Sequence, residues 1–143
     1  MSLPVSTLRL HHVGFVVAEI EASLQGFIHS LGASWDGHIF EDPHQNVKVA
    51  FLATRPGDAL IELVEPAGEN SPVMQFLRKG GGMHHVCYEV DSLTQSLQEL
   101  RARGALLVKR PKPAVAFGGR QIAWILTTEK LLVELLETEL SHS

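Results

Sequence analysis

The sequence predicts an α+β fold built from two tandem βαβββ modules, and three observations carry that prediction. LHHVGFVV from Leu10 and MHHVCYEV from Met83 are alike at an offset of 73, and the same offset takes Ser23-Leu24-Gln25 onto Ser96-Leu97-Gln98. An offset of 72 takes Gly32-Ala33 onto Gly104-Ala105, and IELVE (Ile61 to Glu65) onto VELLE (Val133 to Glu137). In both halves a valine-rich run, a helically spaced stretch and three further strand-like runs follow in the same order. Islands of similarity in one order define modules at residues 8–66 and 83–138, joined by a linker at 67–82, within one domain spanning 8–138.

The elements follow from local chemistry. Residues 10–17 are short, apolar and β-branched, which suits a strand. Ile20, Leu24, Phe27, Ile28 and Leu31 keep a helical spacing that ends near Gly32. Strand-like runs cover 34–41, 47–54 and 59–65, the last two joined by the turn composition Arg55-Pro56-Gly57-Asp58. Ser71-Pro72 starts a short helix at 73–79, and Gly80-Gly81-Gly82 makes a hinge after it. In the second module 83–90 is a strand. Asp91 or Ser92 caps a helix that carries Leu93, Leu97 and Leu100 on one face and closes at Gly104. Strands at 106–109, 120–127 and 131–137 complete the plan.

Composition narrows the function. The 143 residues are 45% hydrophobic and 20% charged, an ordinary globular balance for one domain. With 12 Lys+Arg against 16 Asp+Glu, the chain lacks the basic face that holds nucleic acid. No apolar run approaches the roughly 18 residues that span a bilayer, and the start MSLPVSTLRL lacks a secretory pattern. The expectation is a cytoplasmic protein without membrane or nucleic-acid partners. Cys87, the one cysteine, lies among apolar neighbours and is expected to be a buried, inert thiol. Gly118-Gly119 lacks the spacing of a phosphate-cradling loop.

Side chains alternate between the faces of a strand. In the first strand His12, Gly14 and Val16 share one face, while His11, Val13 and Phe15 share the other. Glu62 interrupts an apolar run, as does Glu134, and a carboxylate there must be paired, neutralised or metal-bound. The repeat maps His12 onto His85 and Glu62 onto Glu134. Taken singly, each histidine reads as a hydrogen-bonded core residue and each glutamate as an edge residue facing water. Taken together at matched positions, two imidazoles and two carboxylates make a donor set for one divalent ion per chain: Co, Ni, Mn, Zn or Fe. Two glutamates balance the ion's charge, and six-coordinate geometry leaves two positions for water or substrate. His11 and His84 fall on the opposite face and read as structural; His29, His38, His44 and His142 read as solvent residues.

At this point the sequence resembles the vicinal oxygen chelate superfamily, the glyoxalase and bleomycin-resistance fold, and within it the methylmalonyl-CoA epimerase family. The residues that carry the likeness are LHHVGFVV, VKVAFLA, IELVEP, GENSPVMQFLRKGGGMHHVCYEVD, and FGGRQIAWI followed by LLVELLE. The resemblance implies a mixed sheet curled around a metal site, with His12, Glu62, His85 and Glu134 as ligands. It departs from epimerases in two places. Their histidine-proline-lysine turn before the last strand is here the shorter Leu126-Thr127-Thr128-Glu129-Lys130, and a further acidic residue, proposed as a base in some of them, falls near Val49.

The implied chemistry is proton abstraction beside the carbonyl of a small substrate, an acyl-CoA thioester for an epimerase. A base must reach the carbon-bound proton, and the two ligand carboxylates are the candidates: Glu134 as the main base, Glu62 as ligand or second acid/base. Arg120 reads equally as a partner for a substrate carboxylate or phosphate and as a surface residue. Rival readings are a glyoxalase-type (lactoylglutathione lyase-like) isomerase or lyase, a metal-free small-molecule binding module, and an iron dioxygenase. The last uses two histidines and one glutamate, so a fourth ligand-type residue counts against it. Because the edges of two half-barrels need cover, the expected assembly is a homodimer.

Overall fold

A computed structural model describes residues 7–139; His142 lies outside them. Among the described residues there are nine strands and three α-helices, in the order β1 (Arg9–Val16), α1 (Ile20–Leu31), β2 (Ser34–Trp35), β3 (Phe40–Asp42), β4 (Val47–Ala53), β5 (Leu60–Pro66), α2 (Met74–Arg78), β6 (Gly82–Val90), α3 (Leu93–Ala102), β7 (Leu106–Pro113), β8 (Gln121–Leu126) and β9 (Leu132–Glu137). The α+β class is as expected, with mixed strand pairing. The chain divides into two compact units, residues 12–84, and residues 7–11 with 85–139. No helix among the described residues is long and apolar enough to cross a membrane.

In the 12–84 unit β1 runs parallel to β5, with Gly14 opposite Glu62, and β5 pairs antiparallel with β4. The single strand expected at 34–41 is two short strands, β2 and β3. Both pair with β4, Ser34 opposite Ala53 and Phe40 opposite Val49. The break between them is local. Asp36 accepts from the His38 backbone N–H, and the Trp35 indole donates to the His38 carbonyl, so side chains satisfy what the ladder loses. One face of this half-sheet packs Phe15, Ala50, Leu52, Ile61 and Leu63 against Ile20, Leu24, Phe27 and Ile28 of α1. The apolar period of α1 is thus spent on the sheet, and His12 and Glu62 are left for the other face.

The unit of 7–11 with 85–139 repeats the plan. β6 is parallel to β9 with Cys87 opposite Glu134, β8 is antiparallel to β9, and β7 pairs with β8 through two register shifts. Val86, Tyr88, Val90, Ala123, Ile125, Val133 and Leu135 pack with Leu93, Leu97 and Leu100 of α3. Strand β7 runs four residues beyond the expected end at Lys109.

Both long helices start on a carboxylate supplied by the last strand of their own unit. The Ile20 N–H donates to Glu65 Oε1 at 2.8 Å, and the Leu93 N–H to Glu137 Oε1 at 3.5 Å. Ile20 and Leu93 are repeat partners, as are Glu65 and Glu137. Glu19 makes no side-chain cap, so the Glu65 carboxylate takes that duty and faces the positive end of the helix. Ser92 shares it in α3, accepting from the Gln95 N–H at 3.2 Å. At the other end of α1, Gly32 is left-handed (φ 65°) and its N–H closes on the Ile28 carbonyl. Glu65→Ala should therefore cost about 0.5–2 kcal/mol in denaturant unfolding, with the site residues untouched.

Candidate functional site

Spacing within IELVE and VELLE separates two duties. Glu62 and Glu65 lie three residues apart and so face opposite ways. Glu65 serves the helix, while Glu62 lies on the far face with Val64. The same holds for Glu134 and Glu137. Each inward carboxylate stands opposite a small residue on the parallel neighbour, Gly14 for Glu62 and Cys87 for Glu134. That leaves room for the carboxylate to lean toward the histidine two positions earlier.

The geometry of each pair follows. His12 Nε2 is 3.3 Å from Glu62 Oε1, and His85 Nε2 is 3.8 Å from Glu134 Oε1. All four residues are buried, at 0%, 5%, 3% and 3% exposure for His12, Glu62, His85 and Glu134. Each imidazole also meets an aromatic ring edge-on, His12 with Phe51 at 5.5 Å and His85 with Trp124 at 4.7 Å between centroids. Phe51 and Trp124 are themselves repeat partners at the offset of 73. That pair was available to the sequence reading and was missed.

The donor chemistry can be tested against a divalent ion. A charge-assisted hydrogen bond between imidazolium and carboxylate closes to about 2.7–2.9 Å, shorter than either separation here. Two donors bound to one ion at about 2.0–2.2 Å, with angles between 90° and 110°, stand about 2.8–3.6 Å apart. The His12–Glu62 pair falls in that range, and the His85–Glu134 pair is slightly more open. An imidazole nitrogen and a carboxyl oxygen held side by side in a buried setting suit a cation between them. The residues fit the group.

The other histidines divide as their faces suggest. His11 is edge-on to Phe117 at 5.3 Å, and His84 to Phe76 at 4.9 Å. His29, His38 and His44 are exposed. Cys87 is fully buried with Ala114, Ile122 and Leu136, on the same face as His85. Arg120 is committed to structure: its Nε donates to the Glu137 carbonyl at 2.9 Å and its guanidinium pairs with Glu89, which also faces Arg9. The turn before β9 is tight, with the Thr127 N–H on the Leu131 carbonyl and Lys130 left-handed at φ 71°. In it the Thr128 hydroxyl bonds the Glu129 carboxylate and holds that carboxyl below its ordinary range. Val49 faces the site side of β4, opposite Phe40 of β3 and Val64 of β5, and brings no titratable group.

Comparison with known proteins places the chain in a family. A sequence model of the Glyoxalase/Bleomycin resistance protein/Dioxygenase superfamily matches residues 11–124. The chain is 34% identical to the ethylmalonyl-CoA/methylmalonyl-CoA epimerase of Cereibacter sphaeroides over 119 residues, 82% of this chain and 87% of that protein. It is 36% identical to the mitochondrial methylmalonyl-CoA epimerase of Mus musculus over 105 residues, 71% of this chain and 57% of that longer protein. The crystal structure of methylmalonyl-CoA epimerase from Mycobacterium tuberculosis superposes with a TM-score of 0.83 at 28% identity, covering 97% of this chain and 94% of that one.

Proposed function

The chain belongs to the Glyoxalase/Bleomycin resistance protein/Dioxygenase superfamily, and from that premise we propose that it is a divalent-metal-dependent epimerase that abstracts a proton beside the carbonyl of an acyl-CoA thioester of the methylmalonyl type. The observation that carries the proposal is a buried histidine beside a buried glutamate at matched positions in each half of the chain. Relatives at 34% and 36% identity that are named as epimerases support the reaction class. In this reading residues 8–138 act as one domain, in which His12, Glu62, His85 and Glu134 hold one ion per chain.

The bound ion would supply Lewis acidity for the negative charge that develops on the thioester oxygen. The residues of the chain do the rest. Glu134 accepts the proton from the carbon beside the carbonyl and releases it to water, while Glu62, its counterpart in the other module, takes a proton from water and delivers it to the other face of that carbon, which inverts the centre. The rings of Phe51 and Trp124, edge-on to the two imidazoles, hold the orientation of those rings. With Val49 in place of an acidic residue, no third base is available on β4, so both proton transfers fall to the two glutamates.

The test is proton exchange in deuterated water. The metal-replete protein should carry solvent deuterium into the methylmalonyl-thioester position, and chelation should abolish this until a divalent ion is restored. A protein that exchanges no acyl-CoA thioester, yet isomerises a hemithioacetal, would belong with the glyoxalases instead.

A further inference from the structure

Among the described residues, strand β7 pairs with β8 through two register shifts. Leu107 lies opposite Ile125 on the helix-facing side, so regular alternation would place Lys109 opposite Ala123 on that same side. Instead the pairing shifts between Leu107 and Lys109, and Lys109 comes to lie opposite Trp124. A second shift between Lys109 and Lys112 places Lys112 opposite Ile122. Residues directly opposite in an antiparallel pair share a face, and Trp124 lies opposite Glu134 and against His85. The first bulge-like shift thus turns Lys109 from the helix side to the side of His85 and Glu134, and the second keeps Lys112 on that side, the kind of re-aiming that bulges perform beside functional sites.

We propose that Lys109 is a specificity-determining residue that binds the free carboxylate of a dicarboxylic acyl thioester; this rests on the epimerase reading and deepens it. Charge accounting gives the reason. Two glutamate ligands cancel the two positive charges of a divalent ion, so the ligand set alone offers no net charge to an anionic acyl group. The inward face of β6, β9 and β8 adds only Glu89, already paired with Arg120 and Arg9. Lys109 lies on that face, two strands from Glu134, about 9–10 Å between backbones at the usual strand spacing. It is half-buried and stands opposite Trp124 in the strand register. A flexible four-carbon stem with a compact ammonium suits a carboxylate held close to the reacting carbon. Lys112 lies one inward position further along the edge and serves the same field more weakly.

The experiment measures equilibrium binding of malonyl-pantetheine and acetyl-pantetheine, which lack the nucleotide phosphates of CoA, to metal-replete wild type, Lys109→Met and Lys109→Arg. Wild type should bind the malonyl thioester about 10–100-fold more tightly than the acetyl one, the range of a hydrogen bond to a charged group. Lys109→Met should bring that ratio near one with acetyl affinity, metal content and melting temperature unchanged, and Lys109→Arg should restore most of it. A Lys109→Met protein that keeps the wild-type ratio overturns the assignment. So does one that weakens both CoA thioesters alike and leaves the pantetheine ratio intact, since the lysine would then serve the phosphates. A wild type that exchanges no methylmalonyl thioester overturns the epimerase reading itself. Exchange with an unaltered charge preference in Lys109→Met overturns only the role of Lys109.

Discussion

Replacing Glu134 by glutamine should lower solvent deuterium exchange into the thioester substrate by about 10²–10⁴-fold, the range for loss of a general base. The amide keeps the shape of the side chain and one oxygen donor, so the variant should stay folded and still bind a divalent ion. It lacks only a lone pair basic enough to take the carbon-bound proton. Glu62→Gln should be milder, because the site keeps its main base and the ion, relieved of one negative ligand, polarises the carbonyl more strongly. Its deficit should concentrate in inversion rather than in exchange from one face. Were Glu62→Gln to abolish exchange while Glu134→Gln spares it, the roles of the two modules would be reversed.

Removing either histidine should be as damaging to activity and also costly to the fold. His12→Ala takes one donor from the site and leaves Glu62, 5% exposed, without its neighbour at 3.3 Å. His85→Ala does the same to Glu134. If the ion supplies several kcal/mol of charge stabilisation, its loss should lower exchange by about 10³-fold or more. Stability should change in the same direction. An ion present at about 100 times its dissociation constant contributes about 2.7 kcal/mol to the folded state. The wild type should therefore melt higher with added divalent ion, and the two variants should lose most of that response.

Much of this was legible in the sequence, and the reasons are physical. Strand alternation and the repeat are both short-range patterns, so His12, Glu62, His85 and Glu134 could be picked out from spacing alone, and the helix ending at Gly32 could be placed from its apolar period. Other features depend on pairing between distant segments. The division of residues 34–41 into β2 and β3 rests on side-chain bonds from Trp35 and Asp36. The inward turn of Lys109 rests on a register shift against β8, which no period-two pattern reveals. The helix-capping duty of Glu65 and Glu137 had a sequence signal in their repeat positions, but only the fold brings each to its helix start.

Whether the two histidine–glutamate pairs serve one ion or act apart is decided by metal stoichiometry. The purified protein, reloaded with a single divalent metal and freed of excess, should hold one ion per chain by elemental analysis. His12→Ala and His85→Ala, treated identically, should each hold close to none, because each removes a ligand from the same centre. Two ions per wild-type chain, or either variant retaining a full complement, would contradict a single four-ligand centre.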